Sequence, residues 1–147
     1  MISSQTLPVL VADDDELSLE SCCSILSDLG MKADGVMTGK QAVEKVVERH
    51  SQNQDYFAGI IDWKMPEMDG IETTRRIRKA VGNDVPVIII SAYDWSNIEQ
   101  EARAAGADAF ISKPLFRSRL TRVFDELING TDKEEPEIDS PLLELEK

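Results

Sequence analysis

The segment Tyr56-Phe57-Ala58-Gly59-Ile60-Ile61-Asp62-Trp63-Lys64-Met65-Pro66-Glu67-Met68-Asp69-Gly70 decides the fold. A mostly apolar run leads without a break into Asp62, and a loop punctuated by Pro66 and Gly70 follows. A short continuous apolar run bounded by turn residues reads as a buried strand. A carboxylate closing such a strand is a poor choice for packing. It suits chemistry well, because open parallel α/β sheets bind their ligands beyond the carboxyl ends of the strands.

The same pattern recurs on either side. Leu7 to Ala12 reads as a strand, with Pro8 tolerated near its start, and Asp13, Asp14, Asp15 and Glu16 follow. Helical spacing then sets Leu19, Cys22, Cys23 and Leu26 on one face, with Gly30 as a C-cap. Met31 to Val36 is a weaker strand. Thr38 and Gln41 form a capping-box pattern opening a helix with Ala42, Val43, Val46 and Val47 on one face. The chain's single histidine, His50, falls at or beyond that helix's last turn and reads as a solvated helix-end residue.

Beyond Asp62 the spacing predicts a helix over 70–81 and a turn at Gly82-Asn83-Asp84. Val85 to Ile90 is a β-branched run without alternation, as in a strand covered on both faces. Asp94-Trp95-Ser96 offers caps for a polar helix ending at Gly106, and Ala107 to Ser112 is a fifth strand. Leu120, Val123, Phe124, Leu127 and Ile128 mark an amphipathic helix. Five alternating strand–helix pairs imply an α/β fold whose parallel sheet carries helices on both sides.

Composition narrows the function. At 147 residues, 41% hydrophobic and 30% charged, the chain suits one well-cored domain. Net charge is −12, which argues against direct nucleic-acid binding. No apolar segment approaches the roughly 20 residues of a membrane helix, and no signal-peptide pattern opens the chain. Cys22 and Cys23 lie about 100° apart around a helix, poorly placed to bridge, so a reducing cytoplasmic location is expected. Residues 131–147 carry seven acids and two bases. They read as an acidic linker or tail after a domain spanning 7–130, with 1–6 a short N-terminal tail.

What stands at the ends of the strands is the informative feature. Asp13 and Asp14, then Asp62, then Ser91, then Lys113 each follow or close one apolar run. In a parallel sheet these ends share one edge. Two carboxylates about 4 Å apart repel by roughly 4 kcal/mol at an effective dielectric of 20. A divalent cation together with Lys113 offsets three acids, and few protein carboxylates with room for water and phosphate oxygens favour Mg²⁺. A carboxylate beside such a metal can attack a phosphoryl group and hold it as an acyl phosphate.

Asp13-Asp14, Asp62-x-x-Met65-Pro66-x-Met68-Asp69-Gly70, Ser91-Ala92 and Lys113-Pro114 together resemble the receiver domain of bacterial two-component response regulators. The resemblance covers about residues 7–130. It implies a flavodoxin-like (βα)5 three-layer sandwich with a parallel five-stranded sheet of order 2-1-3-4-5. It implies that Asp62 accepts phosphate from a histidine kinase or histidine phosphotransfer protein. Mg²⁺ would be held by the side chains of Asp14 and Asp62 and the carbonyl of Lys64, with Asp13 acting largely through water. Lys113 would pair with the phosphate, its bond to Pro114 cis, and Ser91 would bond a phosphoryl oxygen. Phe110 would answer by changing rotamer, altering the face made by the fourth helix, fifth strand and fifth helix. Lys64 and Tyr93 are expected to tune the acyl phosphate's lifetime.

Finer similarity, in Asp62-Trp63-Lys64-Met65-Pro66, Ser91-Ala92-Tyr93-Asp94-Trp95 and Phe110-Ile111-Ser112-Lys113-Pro114-Leu115-Phe116, is to receivers carried in hybrid histidine kinases. Neighbouring domains of a longer chain and a phosphorylation-dependent dimer are then compatible partners. An isolated receiver of this kind would only phosphorylate and dephosphorylate itself. Two other readings stay open from sequence. One is a phosphatase of the haloacid-dehalogenase type, with Asp13 as nucleophile and Asp15 as general acid. The other is a pseudo-receiver scaffold that takes no phosphate.

Overall fold

The computed structural model describes residues 7–92, 98–113 and 115–129. Its strands are β1 (Pro8–Ala12), β2 (Lys32–Val36), β3 (Ala58–Asp62), β4 (Val87–Ser91) and β5 (Ala109–Ser112). Its helices are α1 (Glu16–Asp28), α2 (Gly39–Ser51), α3 (Gly70–Val81), α4 (Glu99–Ala105) and α5 (Arg117–Asn129). Strands and helices alternate along the chain, and the sheet is parallel with order β2-β1-β3-β4-β5. The expected flavodoxin-like sandwich is the fold.

Burial explains the unbroken apolar runs. Every residue of β3 and of β4 is buried, because helices cover both faces. Successive side chains of a strand point to opposite faces, and they divide the core accordingly. Leu10, Ala12, Ile61 and Ile89 pack with Ala42 and Val46 of α2, Ile71 and Ile77 of α3 and Ala102 of α4. Val9, Val11, Ile60, Ile88 and Ile90 pack with Cys22 and Leu26 of α1 and Leu120, Val123 and Phe124 of α5. The weaker strand, β2, is an edge and reads Lys-Ala-Asp-Gly-Val because only part of it is covered.

Local signals account for the helix boundaries. The Thr38 hydroxyl accepts from Gln41 N at 3.1 Å, while Gln41 Oε1 accepts from Met37 N at 3.1 Å. The return bond of the capping box thus reaches one residue further back than the simplest form. Val47 is 41% exposed, since the sheet covers a narrower stripe of α2 than the apolar pattern offered. Gly30 (φ +84°) follows the C-cap residue Leu29, so the helix stop lies one residue earlier than expected. Ile98 precedes α4 without a side-chain cap bond. The expected caps at Asp94-Trp95-Ser96, and Tyr93, Pro114 and 130–147, lie outside the described residues.

The sheet's amino edge is closed by Arg78 of α3; β4 begins at Val87 rather than at Val85, and β5 at Ala109 rather than at Ala107. The Arg78 guanidinium donates to the carbonyls of Gly82 (2.9 Å), Val85 (2.7 Å) and Gly106 (2.8 and 3.0 Å) and to Asp108 Oδ2 (2.7 Å). Asp108 Oδ2 also accepts from Val87 N at 2.9 Å. One planar fork therefore ties two turns together, a geometry lysine does not offer. Replacing it strands several polar groups at once. Arg78→Met is expected to lower the unfolding free energy by about 2–4 kcal/mol in urea titration. A loss well under 1 kcal/mol would show that the clamp is dispensable.

Candidate functional site

The parallel ladder runs on past the strands at the carboxyl edge and so fixes the site's backbone. Asp13 N donates to Val36 O (3.1 Å), Trp63 N to Ile90 O (2.9 Å) and Lys113 N to Ser91 O (2.8 Å). Asp13 directly follows β1, Asp62 and Ser91 close β3 and β4, and Lys113 directly follows β5. Asp13, Asp14 and Asp62 each bring a carboxylate oxygen within 4.8 Å of the others. Lys113 Nζ stands 3.3 Å from Asp13 Oδ2 and 3.4 Å from Asp62 Oδ1. Asp13 and Asp62 are buried at 1% and 5% exposure, whereas Asp14 is exposed and faces water.

Three acids against one ammonium leave an excess of negative charge in a place where water is scarce. Burial, with Asp13 adding to it and Lys113 opposing, pushes the Asp62 carboxyl up to about 6. Burial works to lower the Lys113 ammonium, but Asp62 and Asp13 outweigh it and hold its pKa above the ordinary value. Carboxylate oxygens open to solvent on one side suit a hard divalent cation.

Asp15 is not part of this group. Its carboxylate caps α1, accepting from Ser18 N (3.1 Å) and Ser18 Oγ (2.8 Å), and these bonds hold its pKa below the usual carboxylate range. Its own N–H donates to Asp13 Oδ1 at 2.9 Å, which orients Asp13. The cap leaves Asp15 poorly placed to serve as a general acid.

The loop after Asp62 is built to bring α3 up against it. Asp69 caps α3 through Glu72 N at 2.9 Å, and Gly70 N donates to Trp63 O at 2.9 Å. A Cβ on Gly70 would sit 2.6 Å from Asp62 O and 2.9 Å from Trp63 Cα, so only glycine permits this approach. Met68 N donates to Pro66 O at 2.7 Å around Glu67, whose φ of +69° is unusual for a residue with a side chain. That is a γ-turn, a strained form found where a loop must fold back tightly. The motif contains Asp69 and Gly70 but does not by itself assign them these roles. An Asp just before the 70–81 helical pattern was an available N-cap signal. Nothing local announced Glu67.

The other expected site residues are placed as follows. Ser91 is buried at 2% exposure on the same edge. Phe110 is buried, with the Arg103 guanidinium 4.9 Å from its ring centre. Lys64 is exposed, its ammonium 5.8 Å from the Trp63 ring centre. Met65 is core, packed with α3, and Trp63 packs against that cluster. Beside the edge, a groove of about 260 Å³ is lined by Asp13, Leu17, Ser21, Cys22 and Lys113, among others.

A doubly wound parallel sheet carrying acids from β1 and β3 and a lysine from β5 defines a class of α/β signalling module. The chain belongs to the response regulator receiver domain family, which matches residues 9–125. It is 30% identical over 119 residues to hybrid signal transduction histidine kinase L of Dictyostelium discoideum, covering 78% of this chain and 7% of that protein. The chain thus spans a small fraction of that relative's length. Among solved structures, the receiver domain of the histidine kinase CKI1 from Arabidopsis thaliana, complexed with Mg²⁺, is 34% identical, with a TM-score of 0.75. That match covers 82% of this chain and 91% of the other. A sensor histidine kinase receiver of Pseudomonas aeruginosa, with a magnesium ion in its active-site cleft, gives 27% identity and a TM-score of 0.75. It covers 86% of this chain and 100% of its own. The phosphatase and scaffold readings are not favoured.

Stability should register the crowded charge. The folded Asp62 carboxyl keeps its proton up to about pH 6, whereas an unfolded one releases it near 3.8. Between those values the folded state binds more protons, so this group's contribution falls as pH rises. Without metal, Asp62→Asn is expected to gain about 1–2 kcal/mol over wild type at pH 7, after discounting for solvent. Chemical denaturation should show the gain fading by pH 4. An equal gain at both pH values would contradict the electrostatic cause.

Proposed function

We propose that Asp62 is the phosphoacceptor of a phosphorelay and that the rest of the carboxyl edge positions and reads the phosphoryl group. The observation that carries this reading is the Lys113 ammonium between Asp13 and Asp62, 3.3 and 3.4 Å away, with Asp14 completing the acid trio. A carboxylate oxygen of Asp62 attacks phosphorus while the bond to a phosphohistidine nitrogen of a histidine kinase or phosphotransfer partner breaks. The product is an acyl phosphate, and the imidazole leaves with its electron pair.

The residues present fit Mg²⁺: the Asp14 and Asp62 side chains and the Lys64 carbonyl would hold it, with Asp13 acting through water. When bound, it neutralises phosphoryl oxygens. Lys113 pairs with the transferred group, and the Ser91 hydroxyl donates to a phosphoryl oxygen. That bond draws in the loop after β4 and biases the Phe110 ring, which changes the face made by α4, β5 and α5. Leu17, 73% exposed and lining the Asp13–Lys113 groove, is suited to seat the phosphodonor protein.

The receiver unit is taken as residues 7–130, with 131–147 an acidic link toward neighbouring domains of a hybrid kinase. Free Cys22 and Cys23 fit a reducing cytoplasmic setting.

Incubation with Mg²⁺ and acetyl phosphate, followed by mapping of the labelled residue, tests the assignment. Label at Asp62 that is lost in Asp62→Asn is expected, and label at Asp13 would overturn it. In the same assay Lys64→Ala and Tyr93→Ala should each change the dephosphorylation rate several-fold. Unchanged rates would remove both from the tuning role.

A further inference from the structure

Among the described residues a second group of metal-binding side chains lies at the opposite, amino edge of the sheet. His50 stands in the last turn of α2, Asp55 precedes β3, and Asp84 lies in the turn between α3 and β4. A ligand atom from each falls within 4.8 Å of the others. His50 sits at a partly solvated helix end, as expected, but its ring also has acidic partners. Its side chain is 38% exposed, and its Nδ1 sits 2.9 Å from Asp55 Oδ1 and 3.7 Å from Asp84 Oδ2.

A hydrogen bond from the imidazole accounts for Asp55 but not for Asp84, since 3.7 Å is too long. Around a tetrahedral zinc ion with bonds of about 2.0 Å, neighbouring ligand atoms lie about 3.3 Å apart. The two observed separations bracket that value. Both acid-bearing segments are held in place independently of any ion. Arg49 Nε donates to Gln54 O at 2.9 Å, and Gln54 N to Arg49 O at 2.9 Å, fixing the segment before Asp55. Arg78 donates to the Gly82 and Val85 carbonyls and so fixes the turn that carries Asp84. Ligands held by rigid outer contacts make a ready site.

We infer that His50, Asp55 and Asp84 form a binding site for a borderline divalent cation such as Zn²⁺, distinct from the Asp62 edge. One imidazole nitrogen and two carboxylates suit Zn²⁺, whereas Mg²⁺ prefers an all-oxygen octahedron. Binding takes the Nδ1 lone pair, so the neutral ring carries its proton on Nε2, and water fills the remaining position. The ion would tie the end of α2 to the starts of β3 and β4. The sites lie beyond opposite ends of β3, which is itself roughly 13 Å long.

His50 is the chain's single histidine, so its ring protons report this site without ambiguity. In the full chain with Mg²⁺ in excess to occupy the Asp62 edge, one equivalent of Zn²⁺ should shift the His50 ring resonances, while Mg²⁺ alone should not. Asp55→Asn and Asp84→Asn should each raise the zinc dissociation constant at least ~10-fold, with circular dichroism confirming an unchanged fold. His50→Gln should abolish any zinc-induced rise in melting temperature measured under the same Mg²⁺ excess. Ring resonances unmoved by excess Zn²⁺, or an Asp84→Asn protein that binds as tightly as wild type, would overturn the assignment.

Discussion

Like charges held close together where water is scarce are the constraint on which this structure turns. Parallel strands deliver their ends to one edge whether or not the side chains there attract. At that edge Asp13, Asp14 and Asp62 meet a single ammonium, Lys113. Each of the first three would be more stable apart. They are kept together by a backbone the acids do not control: ladder bonds through Asp13, Trp63 and Lys113, and two covered apolar layers behind them. Folding free energy stored in the core is thereby spent on an unfavourable charge arrangement, the usual signature of a functional edge. A cation and a phosphoryl group are the natural complements to it.

The two edges of the sheet are built on opposite principles. At the amino edge Arg78 satisfies three carbonyls from two turns and ties those turns together. At the carboxyl edge charges are left unbalanced, and the loop after β3 carries a γ-turn at Glu67. A clamp at one end lets the other be both crowded and responsive. Gly70 shows the coupling in a single atom's absence, since any side chain there would push α3 away from the Asp62 backbone.

Most of this architecture was legible in the residues. The unbroken apolar runs at β3 and β4 could only be strands covered on both faces, and acids closing such runs pointed to one shared edge. Capping at Thr38 and the helix over 70–81 were readable because their determinants are local. What escaped depended on distant parts of the chain. The Arg78 clamp, reaching across 28 residues to Gly106, is carried by no local pattern. Asp15 was ambiguous in sequence because three adjacent acids look alike; only the turn into α1 separates the cap from the cluster. His50 gained partners from two segments that follow it in sequence.

Thermal unfolding with and without Mg²⁺, at matched ionic strength, tests the central claim most directly. If the acid trio needs a cation, Mg²⁺ at about ten times its dissociation constant should raise the melting temperature by about 5 °C. Asp14→Asn, which alters the exposed member of the trio, should remove that rise. A melting temperature indifferent to Mg²⁺, or an equal rise in Asp14→Asn, would contradict the account.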